Sequence, residues 1–188
     1  MTMTRQEAWE LLCRHVQSDS LRKHVLAVEG AMVAYADVFD EETLDYSVVG
    51  LLHDLDYEQA PEEHPLEAVR ILQEHGFSEH VTDAVAGHAE RTGVARTTRL
   101  AKTLYAVDEL ASFVVAVALV RPQGFSGMTV KSVRKKLKDK AFAKAVDRDG
   151  LTVSATELGV DMPDHIQTVI SGLAKHQSYL QEHGLTLL

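Results

Sequence analysis

The sequence predicts an all-α fold, arranged as a single-domain helical bundle, and three observations support this. Apolar residues recur at spacings of three and four along nearly the whole chain, as they do in amphipathic helices. Ala, Leu, Glu, Lys and Val dominate, and no segment shows the alternation typical of a half-buried strand. No Gly- or Pro-rich linker divides the 188 residues, so we expect one domain over residues 1–188.

The first half of the chain contains five predicted helices. Ser18 or Ser20 can cap the second helix, and Ser78 can open the fifth. A loop is expected between the third and fourth helices because Pro61 and Pro65 interrupt the pattern there, and Gly76 is expected to end the fourth. The five helices are expected over about 5–16, 21–35, 45–55, 65–74 and 78–88.

The second half begins with a loop at about 89–93 and continues into the longest predicted helix, over about 98–120. Pro122 and Gly124 end that helix. A basic stretch over about 130–148 is expected to form two short helices, and Asp149–Gly150 is expected to form a turn. Two more helices are expected over about 154–158 and 163–181.

Composition limits the partners and the compartment. The formal net charge of −9 lacks the broad positive field that non-specific nucleic-acid binding needs, and it disfavours docking on an anionic membrane. The longest apolar run, over residues 110–120, is too short to span a bilayer. The single cysteine, Cys13, cannot form an internal disulfide, and the charged N-terminus has no apolar signal region. We therefore expect a cytoplasmic protein.

Histidine and aspartate residues form the most informative pattern in the chain. The pair His53-Asp54 ends the apolar stretch 48–52, where a buried imidazole and carboxylate are costly unless both are satisfied. A divalent metal ion would satisfy both. Asp108 lies beside apolar residues of the long helix, and His24 lies between the apolar residues Leu21 and Val25. A metal or a salt bridge would keep the Asp108 carboxylate ionised there.

Mixed imidazole and carboxylate ligands suit Mn, Fe, Co, Ni or Zn, and one or two ions, with Mg also open. Such an ion lowers the pKa of a bound water and makes hydroxide available near neutral pH.

At these residues the chain resembles the HD superfamily of metal-dependent phosphohydrolases, and most closely its small HDIG-like putative hydrolases. The resemblance covers about residues 20–120 and rests on three short motifs: His24 in Arg-Lys-His-Val, His53-Asp54 in Leu-Leu-His-Asp-Leu, and Asp108 in Ala-Val-Asp-Glu-Leu. It implies an HD-type bundle with a basic, helical C-terminal extension over residues 121–188. The glycine of the HDIG signature is absent, since Leu55 and Asp56 follow Asp54.

The resemblance also implies a set of metal ligands. His24, His53, Asp54 and Asp108 would hold a first ion. His64 and His88 match the positions that hold a second ion in many members, in which case Asp54 would bridge the two. His88 is alternatively a contact for a substrate phosphate, and His64 a residue that supports the ligands.

By the same resemblance, the expected activity is that of a phosphohydrolase acting on a nucleotide or another small phosphate ester. Two alternatives stay open: a di-iron oxygenase, and a non-catalytic, metal-containing nucleotide-binding module. The expected partner is the small phosphorylated substrate, without membrane or broad nucleic-acid binding, and a homodimer is left open.

Further residues are candidates for the chemistry of this site. Asp54 and His88 are the first catalytic candidates, and Asp56 and Glu58 could orient a ligand, serve as a general base, or be solvated loop acids. In the basic stretch, Lys131 and Lys135 share a helix face and are, with Arg121, the expected contacts for a substrate phosphate. The alternative for this stretch is a solvated amphipathic face. The remaining histidines are expected to be surface or capping residues: His15, His75, His80, His165, His176 and His183.

Overall fold

The computed structural model describes residues 3–188, and in this part of the chain it confirms the all-α fold. Residues 3–188 form helices joined by loops and turns, and they contain no strand. Within residues 3–188 there are nine α-helices: α1 (Arg5–His15), α2 (Asp19–Phe39), α3 (Thr43–Leu52), α4 (Leu66–Glu74), α5 (Glu79–Gly87), α6 (Arg99–Leu119), α7 (Val130–Leu137), α8 (Arg148–Leu158) and α9 (Met162–Glu182).

Local capping chemistry explains several helix ends. The side chain of Ser18 accepts a hydrogen bond from the backbone N–H of Leu21, so Ser18 rather than Ser20 caps α2. Helix α2 continues to Phe39, beyond the predicted end, and stops where Asp40 adopts a left-handed conformation with φ 55°. Gly76, with φ 76°, follows α4 as predicted, because glycine adopts this conformation without steric penalty.

Two local predictions in the second half are wrong. The pair Asp149–Gly150 lies in the first turn of α8 rather than in a turn before it, because Asp147 caps the helix by accepting a hydrogen bond from the N–H of Asp149. The basic stretch forms only one of its two expected helices, α7, and residues 138–147 form a connection of turns and bends. A short 3-10 turn, Glu90–Thr92, occupies the loop expected at 89–93.

Helices α2 and α6 lie at the centre of the bundle. Helix α2 packs against α3, α6 and α9, and α6 packs against α5, α8 and α9. The apolar spacing of this segment predicts that Val25, Val28 and Met32 face inward on α2, and all three are fully buried. None of the helices within residues 3–188 is both long and apolar enough to cross a membrane.

Close packing of α2 against α3 brings two parts of the site together. A Cβ added to Gly50 of α3 would lie 2.7 Å from the Cα of Glu29 on α2, so only glycine fits between the two backbones. This approach holds His53, at the end of α3, beside His24, in the first half of α2.

Candidate metal centre

The predicted ligands come from two helices, from the C-terminal ends of two others and from one turn. His24 lies on α2, His53 and Asp54 follow directly after α3, and Asp108 lies in the middle of α6. His88 follows the last residue of α5, and His64 lies in the turn before α4. The structure brings all six of these side chains together.

One group of ligand atoms forms around His24, His53 and Asp108. The Nε2 atom of His24 lies 3.2 Å from Nε2 of His53 and 3.2 Å from Oδ1 of Asp108. Nε2 of His53 lies 3.6 Å from the same Asp108 oxygen. These three side chains are close enough together to hold one metal ion.

A second group forms on the other side of Asp54. Its Oδ1 atom lies 3.4 Å from Nε2 of His64 and 3.6 Å from Nε2 of His88, and these two nitrogens are 3.1 Å apart. His53, Asp54 and His88 also satisfy the spacing for a metal ion. Oδ2 of Asp54 lies 3.3 Å from Nε2 of His24, so the Asp54 carboxylate contacts both groups.

In two of the histidines, the hydrogen bond made by Nδ1 determines that Nε2 is the ring nitrogen facing the centre. Nδ1 of His53 donates to the carbonyl of Gly50 at 2.9 Å, and Nδ1 of His88 donates to the carbonyl of Val85 at 2.5 Å. With the proton on Nδ1, the neutral ring turns the lone pair of Nε2 inward. The centre therefore collects imidazole lone pairs and carboxylate oxygens, and a divalent cation matches this donor set.

Electrostatics also favour positive charge at this centre. Burial lowers the pKa of His24, but hydrogen bonds and charges from Asp108 and Asp54 outweigh it and raise the pKa to about 10. Burial raises the pKa of Asp108, but hydrogen bonds from His24 and His53 outweigh it and hold that pKa well below its usual value. Either a protonated imidazole or a divalent cation can supply this positive charge. Metal ions and protons therefore compete for the same imidazole nitrogens.

Asp56 and Glu58 have different positions. Asp56 is buried, and its carboxylate accepts hydrogen bonds from Nδ1 of His64 at 2.6 Å and from the N–H of Ala68 at 2.9 Å. This placement suits the orientation of His64, rather than a general base or a solvated loop acid. The Glu58 carboxylate accepts from the backbone N–H groups of Gln17 and Ser18, so it is attached to the start of α2 and is not aimed at the centre.

A cleft of about 650 Å³ opens over the centre. His24, His88 and Asp108 line it, together with Tyr105, Ser112 and residues of α8. The sequence interpretation missed Ser112, whose Oγ lies 2.8 Å from Nδ1 of His24. Its position four residues after Asp108, on the same face of α6, is the signal that identifies it.

The structure does not bring the predicted phosphate contacts to this cleft. Lys131, Lys135 and Arg121 are not among its lining residues. The Arg121 guanidinium instead donates to the carbonyl oxygens of Gly124 and Ser126, where it holds the turn after α6.

Two further histidines are buried, contrary to the surface or capping role expected for them. His165 is fully buried between the Tyr35 hydroxyl, 2.6 Å from its Nδ1, and the carbonyl of Ala106, 3.0 Å from its Nε2. His176 lies 3.1 Å from the buried carboxylate of Glu29. His75 and His183 do follow the ends of α4 and α9, as expected of capping residues.

Comparison with known proteins does not place the chain in a family. No protein-family model, no curated protein and no solved structure matches it.

Proposed function

We propose that this protein is a metal-dependent phosphohydrolase that cleaves a small phosphate ester by means of a metal-activated water. The observation that carries the proposal is the Asp54 carboxylate, which contacts two neighbouring groups of imidazole and carboxylate ligands. Paired ion sites of this kind are typical of phosphatases and nucleases, in which two cations flank the reacting phosphoryl group. The resemblance to the HD superfamily supports the same reaction.

The side chains of the chain have distinct roles in this proposal. His24, His53 and Asp108 would hold one ion, and His64 and His88 a second, with Asp54 shared. When bound, divalent ions at this position lower the pKa of a water and offset the charge of a phosphate. Ser112 and Asp56 orient His24 and His64 through their Nδ1 atoms.

The overall reaction is a hydrolysis. The oxygen of water forms a bond to phosphorus while the bond from phosphorus to the ester oxygen breaks. One proton of the water ends on the leaving oxygen, and the products are an alcohol and a phosphate. His24, His88 and Asp108 line the cleft, so a substrate that enters it reaches the ligand set there.

The test begins with the metal content of the purified protein, as the element and the number of ions per chain. Phosphate monoesters, diesters and nucleotides are then offered to the Mn-, Co-, Ni- and Mg-loaded protein. We expect hydrolysis that falls to the background rate in Asp54→Asn and persists in Asp83→Asn, which changes an exposed aspartate of α5.

Activity that survives in Asp54→Asn would identify a contaminating phosphatase and remove the proposal. The same assays under argon and in air separate the hydrolase from a di-iron oxygenase. A product that forms only in the presence of O₂ would favour the oxygenase.

A further inference from the structure

The walls of the cleft over the metal centre are strongly acidic. Besides Asp108, four acidic side chains line it: Glu90, Glu109, Asp147 and Asp149. Among the lining residues, all within the described part of the chain, there is no lysine or arginine. A phosphate-binding cleft usually supplies basic side chains, so this cleft has the opposite charge outside its metal centre.

The hydrogen bonds of these acids do not neutralise them. Glu90 accepts from the hydroxyl of Tyr105 at 2.8 Å, and Glu109 accepts from the backbone N–H of Asp147 at 2.7 Å. Asp147 accepts from the N–H of Asp149 at the start of α8. Each of these donors is uncharged, so these hydrogen bonds bring no compensating positive charge to the wall.

The nearest arginines are bound elsewhere. Arg96 forms an ion pair with Glu157 at 2.9 Å. The Arg148 guanidinium donates to backbone carbonyl oxygens, among them those of Leu137, Phe142 and Val146. Neither side chain lines the cleft, so a ligand there contacts the carboxylates and no guanidinium. Arg96, whose guanidinium carbon lies 3.7 Å from the centre of the Tyr105 ring, acts on Glu90 through longer-range charge, and Arg148 acts on Glu109 in the same way.

We propose that the substrate is a small phosphate monoester that also carries a cationic group, such as a protonated amine. This inference rests on the proposed function. The phosphate would face the metal centre and the cation would face Glu109 and Asp149. A nucleotide, which adds negative charge and carries no ammonium group, fits these walls less well, and the volume of about 650 Å³ suits a small ligand.

The reaction leaves the cation unchanged. Water attacks phosphorus, the ester P–O bond breaks, and the leaving oxygen takes a proton, giving an amino alcohol and inorganic phosphate. The acidic walls act on binding, because they attract the ammonium group of this substrate, give a neutral group no such attraction, and repel an additional anionic group.

Binding tests the inference independently of turnover. The probes are 3-aminopropylphosphonate and butylphosphonate, which have equal chain length, differ only in the terminal ammonium or methyl group, and contain no ester bond. Calorimetry on the Mn-loaded full chain gives both dissociation constants. We expect the amine to bind about tenfold more tightly, as one charge-assisted contact provides.

Variants of the wall identify the cause of this preference. In Glu109→Gln combined with Asp149→Asn, the preference should fall to about twofold or less, while butylphosphonate binds as well as before or better. The metal content should equal that of the wild type, and Asp83→Asn should keep the full preference. Higher salt should weaken the preference, since it screens the charges.

The outcomes separate the two proposals. Equal binding of the two phosphonates by the wild type, or a preference that persists in the double variant, would overturn the inference alone. Failure of the metal-loaded protein both to bind a phosphonate and to hydrolyse any ester would overturn the proposed function, and the inference with it. Hydrolysis of phosphoethanolamine about tenfold faster, in kcat/KM, than hydrolysis of propyl phosphate would support both.

Discussion

The carboxylate of Asp56 lies 2.6 Å from Nδ1 of His64, and Nε2 of the same ring lies 3.4 Å from Asp54. The buried aspartate therefore sets the proton and the orientation of an imidazole that faces the candidate metal centre. Asp56 is not itself one of the candidate metal ligands, because its second carboxylate oxygen accepts a hydrogen bond from the backbone N–H of Ala68.

Replacing this aspartate should weaken metal binding on one side of Asp54. In Asp56→Asn the amide N–H₂ can donate to Nδ1 of His64, which moves the ring proton to Nε2 and blocks that atom as a ligand. We expect about 10–100-fold lower affinity for one ion, measured by metal titration, with the other ion retained. Glu58→Gln is the matched control, and an equal loss in both variants would contradict a specific role for Asp56.

Removal of metal should lower thermal stability. A ligand at one hundred times its dissociation constant stabilises the native state by about 2.7 kcal/mol, because it binds the folded chain only. For a chain of this size, scanning calorimetry with and without a chelator should show a decrease in Tm of about 5–10 °C. The Asp108→Asn variant should show a much smaller decrease. Identical melting curves for the wild type in both buffers would argue against bound metal.

Acid should destabilise the fold in part through His165. Burial lowers the pKa of His165 to about 4, against the ordinary value of 6.5, and the neutral ring bridges Tyr35 and Ala106. Above pH 6.5 both the folded and the unfolded ring are neutral, so this stability is fully present. As the pH falls from 6.5 to 4, only the unfolded ring takes up a proton, and up to about 3 kcal/mol of stability is lost.

Urea unfolding of the wild type and of His165→Gln at several pH values measures this contribution. The variant should be less stable at pH 7, because glutamine does not reproduce both hydrogen bonds. The difference between the two proteins should shrink as the pH falls through this window. A difference that stays constant from pH 7 to pH 4 would show that His165 does not titrate as proposed.

The buried carboxylate of Glu29 should be important for stability. It is 1% exposed and accepts hydrogen bonds from Arg5 at 2.6 Å and Ser47 at 2.6 Å, with His176 at 3.1 Å. Glu29→Gln removes the charge and leaves the buried part of Arg5 unpaired, so we expect a loss of about 3–5 kcal/mol in the free energy of unfolding.

The exposed pair of Lys175 and Asp37 provides the comparison, since their nitrogen and oxygen are 3.3 Å apart at the surface. Asp37→Asn should change the free energy of unfolding by less than about 1 kcal/mol. Similar losses for Asp37→Asn and Glu29→Gln would refute the structural role assigned to the buried cluster.

Much of the local structure could be predicted because its causes lie close together in the chain. The apolar spacing of α2 identified Val25, Val28 and Met32 as buried, and they are. Local chemistry also identified the terminating Gly76, and it narrowed the cap of α2 to Ser18 or Ser20, of which Ser18 is the cap. The turn expected at Asp149–Gly150 failed because the same residues also fit the first turn of a helix, and the cap supplied by Asp147 selects the helix.

The positions of long side chains and the burial of two histidines could not be predicted from local sequence patterns. The basic residues near α7 carry the charge that a phosphate needs, yet they do not line the cleft, and Arg121 is used to hold a turn. The burial of His165 and His176 depends on how α9 crosses α2 and α6, which no local pattern records.

The sequence by itself determined the helical class, because helix periodicity is a property of short segments. Through ligand chemistry and the resemblance to the HD superfamily, it also singled out six histidine and aspartate residues as candidate metal ligands. The tertiary structure alone decided that Asp54 contacts both ligand groups, that Asp56 orients His64, and that acidic side chains form the walls of the cleft. These relationships arise where helices α2, α3, α5, α6 and α8 come together. The arrangement of these helices depends on packing between residues that are far apart in the chain.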